Sequence, residues 1–74
     1  MNSKDYIEVA LRESIPSWLA IHEIREVFNI GRQYSENNLA TRCPEMAKAG
    51  TLVSRRRKGK RFKEWALKSR VQGE

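Results

Sequence analysis

The chain has a single cysteine, Cys43, and a single histidine, His22, so its 74 residues must fold without the common cross-links of small domains. One cysteine cannot form an internal disulfide, and together with one histidine it cannot supply the four ligands of a structural zinc site. Domains of this size bury only about 60% of their unfolded surface, and many depend on such cross-links. We therefore predict one small domain that is stabilised by packing alone.

The composition is that of a folded domain, with 39% hydrophobic and 32% charged residues. A disordered chain would hold fewer apolar residues, and a membrane span would need about 20 of them in succession. Residues 1–5 show no apolar run after a basic start, so no secretory signal is expected. The sequence thus predicts a cytoplasmic protein with no membrane partner.

The net charge of +6 is concentrated near the C-terminus. Residues 1–54 hold six Lys/Arg against seven Asp/Glu, whereas residues 55–74 hold nine against two. Seven of those nine cations fall within nine positions: Arg55, Arg56, Arg57, Lys58, Lys60, Arg61 and Lys63. A nearly neutral body with one basic element indicates a polyanion as partner.

Apolar residues at helical spacing predict the first two helices. In residues 4–13 they form one stripe, and the helix ends before Pro16, which has no N–H to donate. In residues 17–28 they share one face, and residues 29–31 supply the stop. Periodicity leaves open whether Trp18 and Leu19 begin this helix or form a short strand before it. Trp18, Phe28 and Leu39 are expected in the core.

A third helix is predicted after a polar turn, with Ser35 as its N-cap. Its core-facing stripe consists of Leu39, Cys43, Met46 and Ala47. Pro44 interrupts the pattern and is expected to kink the helix, which Gly50 closes. Two helices joined by a short turn that contains glycine are typical of a helix-turn-helix.

The period then changes to that of strands. Residues 51–57 and 60–67 flank Lys58-Gly59, a dipeptide suited to a tight hairpin turn. A two-residue turn pairs Arg57 with Lys60, Arg56 with Arg61, Ser54 with Lys63, and Leu52 with Trp65. Like charges in opposite positions destabilise a hairpin, so its tip should lie in water or contact phosphate. Trp65 is expected to point inward and Phe62 to be partly exposed.

Helix, helix, turn, helix and basic hairpin cover nearly the whole chain. Residues 18–24, WLAIHEI, fit a short strand that runs into a second helix, residues 39–46 fit a recognition helix, and residues 49–62, AGTLVSRRRKGKRF, fit a basic hairpin. This order resembles the winged helix-turn-helix DNA-binding domain, and the hairpin is similar to the wing of small bacterial regulators of the MarR and ArsR type. The compactness also resembles that of small phage-encoded winged-helix proteins.

The resemblance implies an α+β fold of three helices with a C-terminal β-hairpin wing in residues 1–68, followed by a flexible tail in residues 69–74. It places the third helix in the major groove and the wing on the adjacent backbone or minor groove. Base edges would be contacted by Asn37, Asn38, Thr41 and Arg42. Backbone contacts from the turn would come from Arg32, Gln33, Tyr34 and Ser35. Phosphate or minor-groove contacts from the wing would come from Arg55, Arg56, Arg57, Lys58, Lys60, Arg61 and Lys63.

The expected function is sequence-specific or semi-specific binding of double-stranded DNA by a small transcriptional regulator of phage or bacterial type, which is a monomer in solution and can pair on DNA. Control of phage integration, excision or replication is a neighbouring alternative. The sequence has no phosphate loop, paired carboxylates or nucleophile–base set, so we expect no catalysis, cofactor, metal or small-molecule ligand. Two other functions stay open: RNA binding on the same scaffold, with Tyr34, Phe62 and Trp65 as stacking candidates, and an adaptor that binds an acidic protein through the wing.

Overall fold

The computed structural model describes residues 2–72, which form a small α+β domain with four α-helices and a three-stranded antiparallel sheet. The elements in chain order are α1 (Ser3–Glu13), β1 (Leu19–Ala20), α2 (Ile21–Glu26), a 3-10 turn (Asn29–Gln33), α3 (Glu36–Lys48), β2 (Leu52–Arg56), β3 (Lys63–Leu67) and α4 (Lys68–Gln72). Among these residues no helix is long and apolar enough to cross a membrane.

The third helix begins where the sequence predicts. The hydroxyl oxygen of Ser35 accepts the backbone N–H of Asn38 at 3.0 Å, which satisfies one of the free donors of the first turn. Pro44 lies inside α3, and the helix continues past it to Lys48. Gly50 then adopts φ +89°, a left-handed conformation that favours glycine, and the chain turns into β2.

The second helix is shorter than its apolar pattern predicts. It ends at Glu26, and the chain passes through Phe28 into the 3-10 turn. The prediction of Phe28 as a core residue is therefore wrong: the residue is 38% exposed, and its ring lies edge to face with that of Tyr6, with ring centres 6.5 Å apart. Leu19 and Ala20 form a strand, which answers the question that periodicity left open. Trp18, just before it, is half-buried and lies outside the core, so its prediction as a core residue is also wrong.

The sheet has the order β1-β3-β2, and its register differs from the predicted one by two residues. Ser54 pairs with Trp65 and Arg55 with Glu64, so the predicted two-residue turn is wrong and residues 57–62 form a longer loop. A shift of two leaves each side chain on its predicted face. Trp65 is buried and Phe62 is 38% exposed, which confirms both expectations.

The prediction of three helices is corrected to four, because residues 68–72 form α4 where the sequence shows no periodic pattern. A single turn of helix is too short to show a repeat, and tertiary contacts hold it in place. The guanidinium of Arg70 donates to the backbone oxygens of Leu11, at 2.9 Å, and of Ser14. Residues 73 and 74 of the expected tail lie outside the described residues.

The helices α1, α2 and α3 and all three strands contribute to one core. Its largest fully buried side chains are Tyr6, Ile7, Leu11, Ile24, Leu39, Cys43 and Leu52. The Tyr6 hydroxyl donates to the backbone oxygen of Ile24 at 2.7 Å, so even its polar atom is satisfied. Burial raises the pKa of the Cys43 thiol to about 12 and keeps it protonated at neutral pH. The core thus fixes α1, α2 and α3 beneath the sheet that carries the basic hairpin.

Candidate nucleic-acid interface

The basic hairpin, which we define as β2, loop 57–62 and β3, carries two kinds of cation. Five side chains are exposed and form no ion pair within residues 2–72: Arg56, Lys58, Lys60, Arg61 and Lys63. Gly59 adopts φ +78° at the turn between Lys58 and Lys60. These five charges have no neutralising partner in the described chain, so they are available to an external anion.

Arg55 and Arg57 instead share a carboxylate with each other. The Nε of Arg55 donates to Oε1 of Glu64 at 2.7 Å, and the Nε of Arg57 donates to Oε2 at 2.8 Å. Glu64 is buried, which alone would raise the pKa of its carboxyl group. The two guanidinium groups outweigh that effect, so the pKa of Glu64 lies below its usual value.

Arg57 also joins the hairpin to α2. Its Nη1 donates to Oε2 of Glu23 at 3.2 Å, and its Nη2 donates to Oε1 of the same carboxylate. Glu23 in turn accepts the backbone N–H of Ala20 at 2.8 Å and so caps the start of α2. The hydrogen bonds from Arg57 lower the pKa of Glu23. One guanidinium therefore connects α2, β3 and the hairpin loop.

Aromatic rings surround this ion network. The Arg55 guanidinium lies 4.1 Å above the centre of the Trp18 ring, and that of Arg57 lies 5.1 Å from the centre of the Phe62 ring. His22 meets Phe62 edge to face, with ring centres 5.4 Å apart. A cation close to the face of an aromatic ring is attracted to it, so the rings help to fix Arg55 and Arg57 next to the hairpin loop.

Stability should fall in acid as this network is protonated. The folded-state pKa values of Glu23 and Glu64 lie below their unfolded values, so the network contributes fully above about pH 5 and is lost as pH falls through the folded-state pKa values. Urea unfolding between pH 7 and pH 3 should show a steeper loss in the wild type than in Glu64→Gln. The exposed control Glu8→Gln should follow the wild-type curve, and a Glu64→Gln curve parallel to it would contradict the assignment.

The four α3 residues predicted to contact bases differ in their present partners. Asn37 and Asn38 are exposed. The Thr41 hydroxyl donates to the backbone oxygen of Asn37 at 2.9 Å. The guanidinium of Arg42 donates to both carboxylate oxygens of Glu45, at 3.1 and 3.2 Å, which lowers the pKa of Glu45. Asn37 and Asn38 are therefore the side chains of this group that can reach a ligand without breaking a side-chain hydrogen bond within residues 2–72.

Hydrogen bonds from Arg25 hold the turn before α3, and no sequence pattern identifies this arginine as important. Arg25 donates through Nε to the backbone oxygen of Tyr34 at 2.6 Å and through Nη2 to that of Arg32 at 3.3 Å. Tyr34 is half-buried, with its ring 5.3 Å from that of Tyr6, and the Ser35 hydroxyl caps α3. Gln33 and Arg32 are exposed, and Arg32 contacts Glu26 at 3.3 Å.

Sequence reasoning also missed both carboxylates of the ion network. Glu23 had half of a signal, because a Glu at the third helical position is part of a capping box, but Ala20 lacks the Ser or Thr side chain of the other half. Glu64 had a weaker one, as the single acid among the cations that precede the buried Trp65-Ala66-Leu67 run. Neither position shows by itself which arginine it will bind.

An open cleft of about 650 Å³ lies between α1 and α4 and is lined by Glu8, Arg12, Lys68 and Arg70 among others. No residue predicted to contact DNA lines it.

Comparison of the chain with protein-family models, with curated protein sequences and with solved structures gives no match.

Proposed function

We propose that the chain is a winged-helix domain that binds double-stranded DNA by docking, with α3 in the major groove and the basic hairpin as the wing. The observation that carries the proposal is the set of five exposed cations on the hairpin that form no ion pair within residues 2–72. The element order and the β1-β3-β2 sheet support it, because a helix-turn-helix followed by a hairpin is the arrangement that the resemblance implies.

The aromatic residues favour a duplex over a single strand. Proteins that bind single strands stack successive bases on exposed aromatic rings. Of the three stacking candidates, Trp65 is 6% exposed and Tyr34 packs against Tyr6, so Phe62 is the exposed one. Phe28 is exposed to the same extent, 38%, but lies outside the hairpin and outside the predicted contact residues. A partner recognised through its phosphates needs no such platform, and the five cations suit that chemistry.

The test is an NMR titration of the ¹⁵N-labelled protein with a mixed-sequence duplex of about 16 base pairs, one and a half helical turns. We expect shifts concentrated in residues 32–42 and 55–63. Five phosphate contacts would give a slope of about −4.5 for log K against log salt. Absence of shifts in both regions at low salt would refute DNA binding, and larger shifts with single-stranded RNA at equal salt would favour RNA.

The double variant Asn37→Ala/Asn38→Ala should lose sequence discrimination while it keeps affinity for mixed DNA. Asparagine can form a bidentate contact with adenine, and a good contact of this kind discriminates by about 1–3 kcal/mol. After selection of a preferred site, the ratio of Kd values for mixed and preferred duplexes should fall about tenfold or more in the variant. Glu8→Gln serves as control, and an unchanged ratio would remove both asparagines from base recognition.

A further inference from the structure

Arg57 is the least exposed cation of the ion network, with 27% of its side chain accessible against 56% for Arg55. Its Nε and both terminal nitrogens donate to carboxylates, those of Glu64 and Glu23. The Phe62 ring packs against the same guanidinium. Three of the five N–H donors of Arg57 are thus already bonded to carboxylates, which distinguishes Arg57 from its exposed neighbours on the hairpin.

The backbone of Arg57 lies at the base of the hairpin loop. Its N–H donates to the backbone oxygen of Phe62 at 3.2 Å, and its oxygen accepts the N–H of Lys60 at 3.0 Å. The side chain and the main chain of one residue thus tie the loop to β3 and, through Glu23, to α2. The loop itself carries Lys58, Lys60 and Arg61, whose mutual repulsion opposes a single conformation.

We propose that Arg57 is a positioning residue that clamps the hairpin loop to α2 and does not bind phosphate itself. The inference rests on the proposed DNA binding and gives the cations two different roles. Arg57 orients the hairpin loop, and the exposed cations contact the phosphates. A loop that is ordered before binding does not have to be ordered on the DNA, which improves affinity without a new contact.

The first test needs no DNA. Steady-state ¹H–¹⁵N NOE values for residues 58–62 report the motion of the loop on the ps–ns timescale. Arg57→Lys keeps the charge but loses the planar, forked geometry that spans two carboxylates. Lower NOE values are expected in Arg57→Lys and in Glu23→Gln, and wild-type values in the matched control Arg61→Lys. Wild-type values in both clamp variants would refute the clamp.

The second test compares affinity with its salt dependence. Arg57→Lys should weaken duplex binding about five- to tenfold with an unchanged salt slope. The variant loses the ordered conformation of the hairpin loop but loses no phosphate contact. The control Arg12→Lys, at an exposed residue of α1, should bind within about twofold of the wild type, and Arg61→Gln should reduce the slope by about one. Full affinity of Arg57→Lys would show that its charge alone matters and would overturn the proposal.

Glu23→Gln separates the clamp from simple electrostatics. The substitution makes the protein more positive, and the glutamine oxygen can still accept the Ala20 N–H. A clamp predicts weaker DNA binding despite the extra positive charge, whereas stronger binding would mean that Glu23 competes with phosphate for Arg57. If the wild type fails to bind any duplex, the proposed function fails, while the NOE comparison still decides whether Arg57 holds the loop.

Discussion

The double variant Lys60→Gln/Arg61→Gln should bind duplex DNA about 10- to 100-fold more weakly than the wild type near 0.1 M salt. Both side chains are exposed in the hairpin loop and form no ion pair within residues 2–72, so their loss removes charge without disturbing a partner in that part of the chain. Each lost phosphate contact should also reduce the salt slope by about one. Fluorescence anisotropy at four salt concentrations measures both quantities.

The matched control for this variant is Arg12→Gln/Lys68→Gln. It changes the net charge equally, at residues of α1 and α4 that line the cleft, to which no residue predicted to contact DNA belongs. Its salt slope should equal that of the wild type. Equal losses of affinity in the two double variants would show that net charge, and not the hairpin, governs binding.

Gly31→Ala is expected to be the most destabilising alanine substitution among the glycines of residues 2–72. Gly31 is buried, and a Cβ atom built there would overlap the Tyr6 hydroxyl and the backbone oxygen of Arg25. The hydroxyl is fixed by its bond to Ile24, and the carbonyl belongs to the main chain, so neither can yield easily. Overpacking of this kind costs about 3 kcal/mol or more, against a total stability of about 4–11 kcal/mol for 74 residues.

Urea unfolding measures this loss, with Gly59→Ala as the matched control. A Cβ at Gly59 meets no atom within 4 Å, so that variant pays only for its φ of +78°, a cost of about 1 kcal/mol. A free energy of unfolding for Gly31→Ala within about 0.5 kcal/mol of the wild type would contradict the packing argument.

Local signals in the sequence correctly predicted the start of α3 and the inward orientation of the Trp65 side chain. A helix cap and the alternating pattern of a strand each depend on only a few neighbouring residues. Local signals failed for Phe28, since the apolar pattern continues beyond Glu26 while the chain leaves the helix there. They also failed for α4, which depends on Arg70 and on carbonyl groups some 60 positions earlier in the chain.

The hairpin shows why the candidate site could be predicted only in part. Lys58-Gly59 is a strong turn signal, and the position of the turn was right, but its length was not. In the observed register Arg55 lies opposite Glu64, whereas the tighter turn would have placed it opposite Phe62, and one cationic pair remains, Arg56 opposite Lys63. A pattern of charges identifies a basic hairpin. Which of its cations bind carboxylates within the domain and which stay exposed depends in part on Glu23 of α2, which is distant in sequence.

The buried Cys43 can report transient opening of the core. Thiol reagents attack the thiolate, and this thiol is fully buried with a pKa raised to about 12. Because Cys43 packs between α3 and the rest of the core, a reagent reaches it only when that packing is broken. The rate of alkylation under native conditions therefore reports the population of molecules in which the packing around Cys43 is open, on the unmodified chain and without a dye.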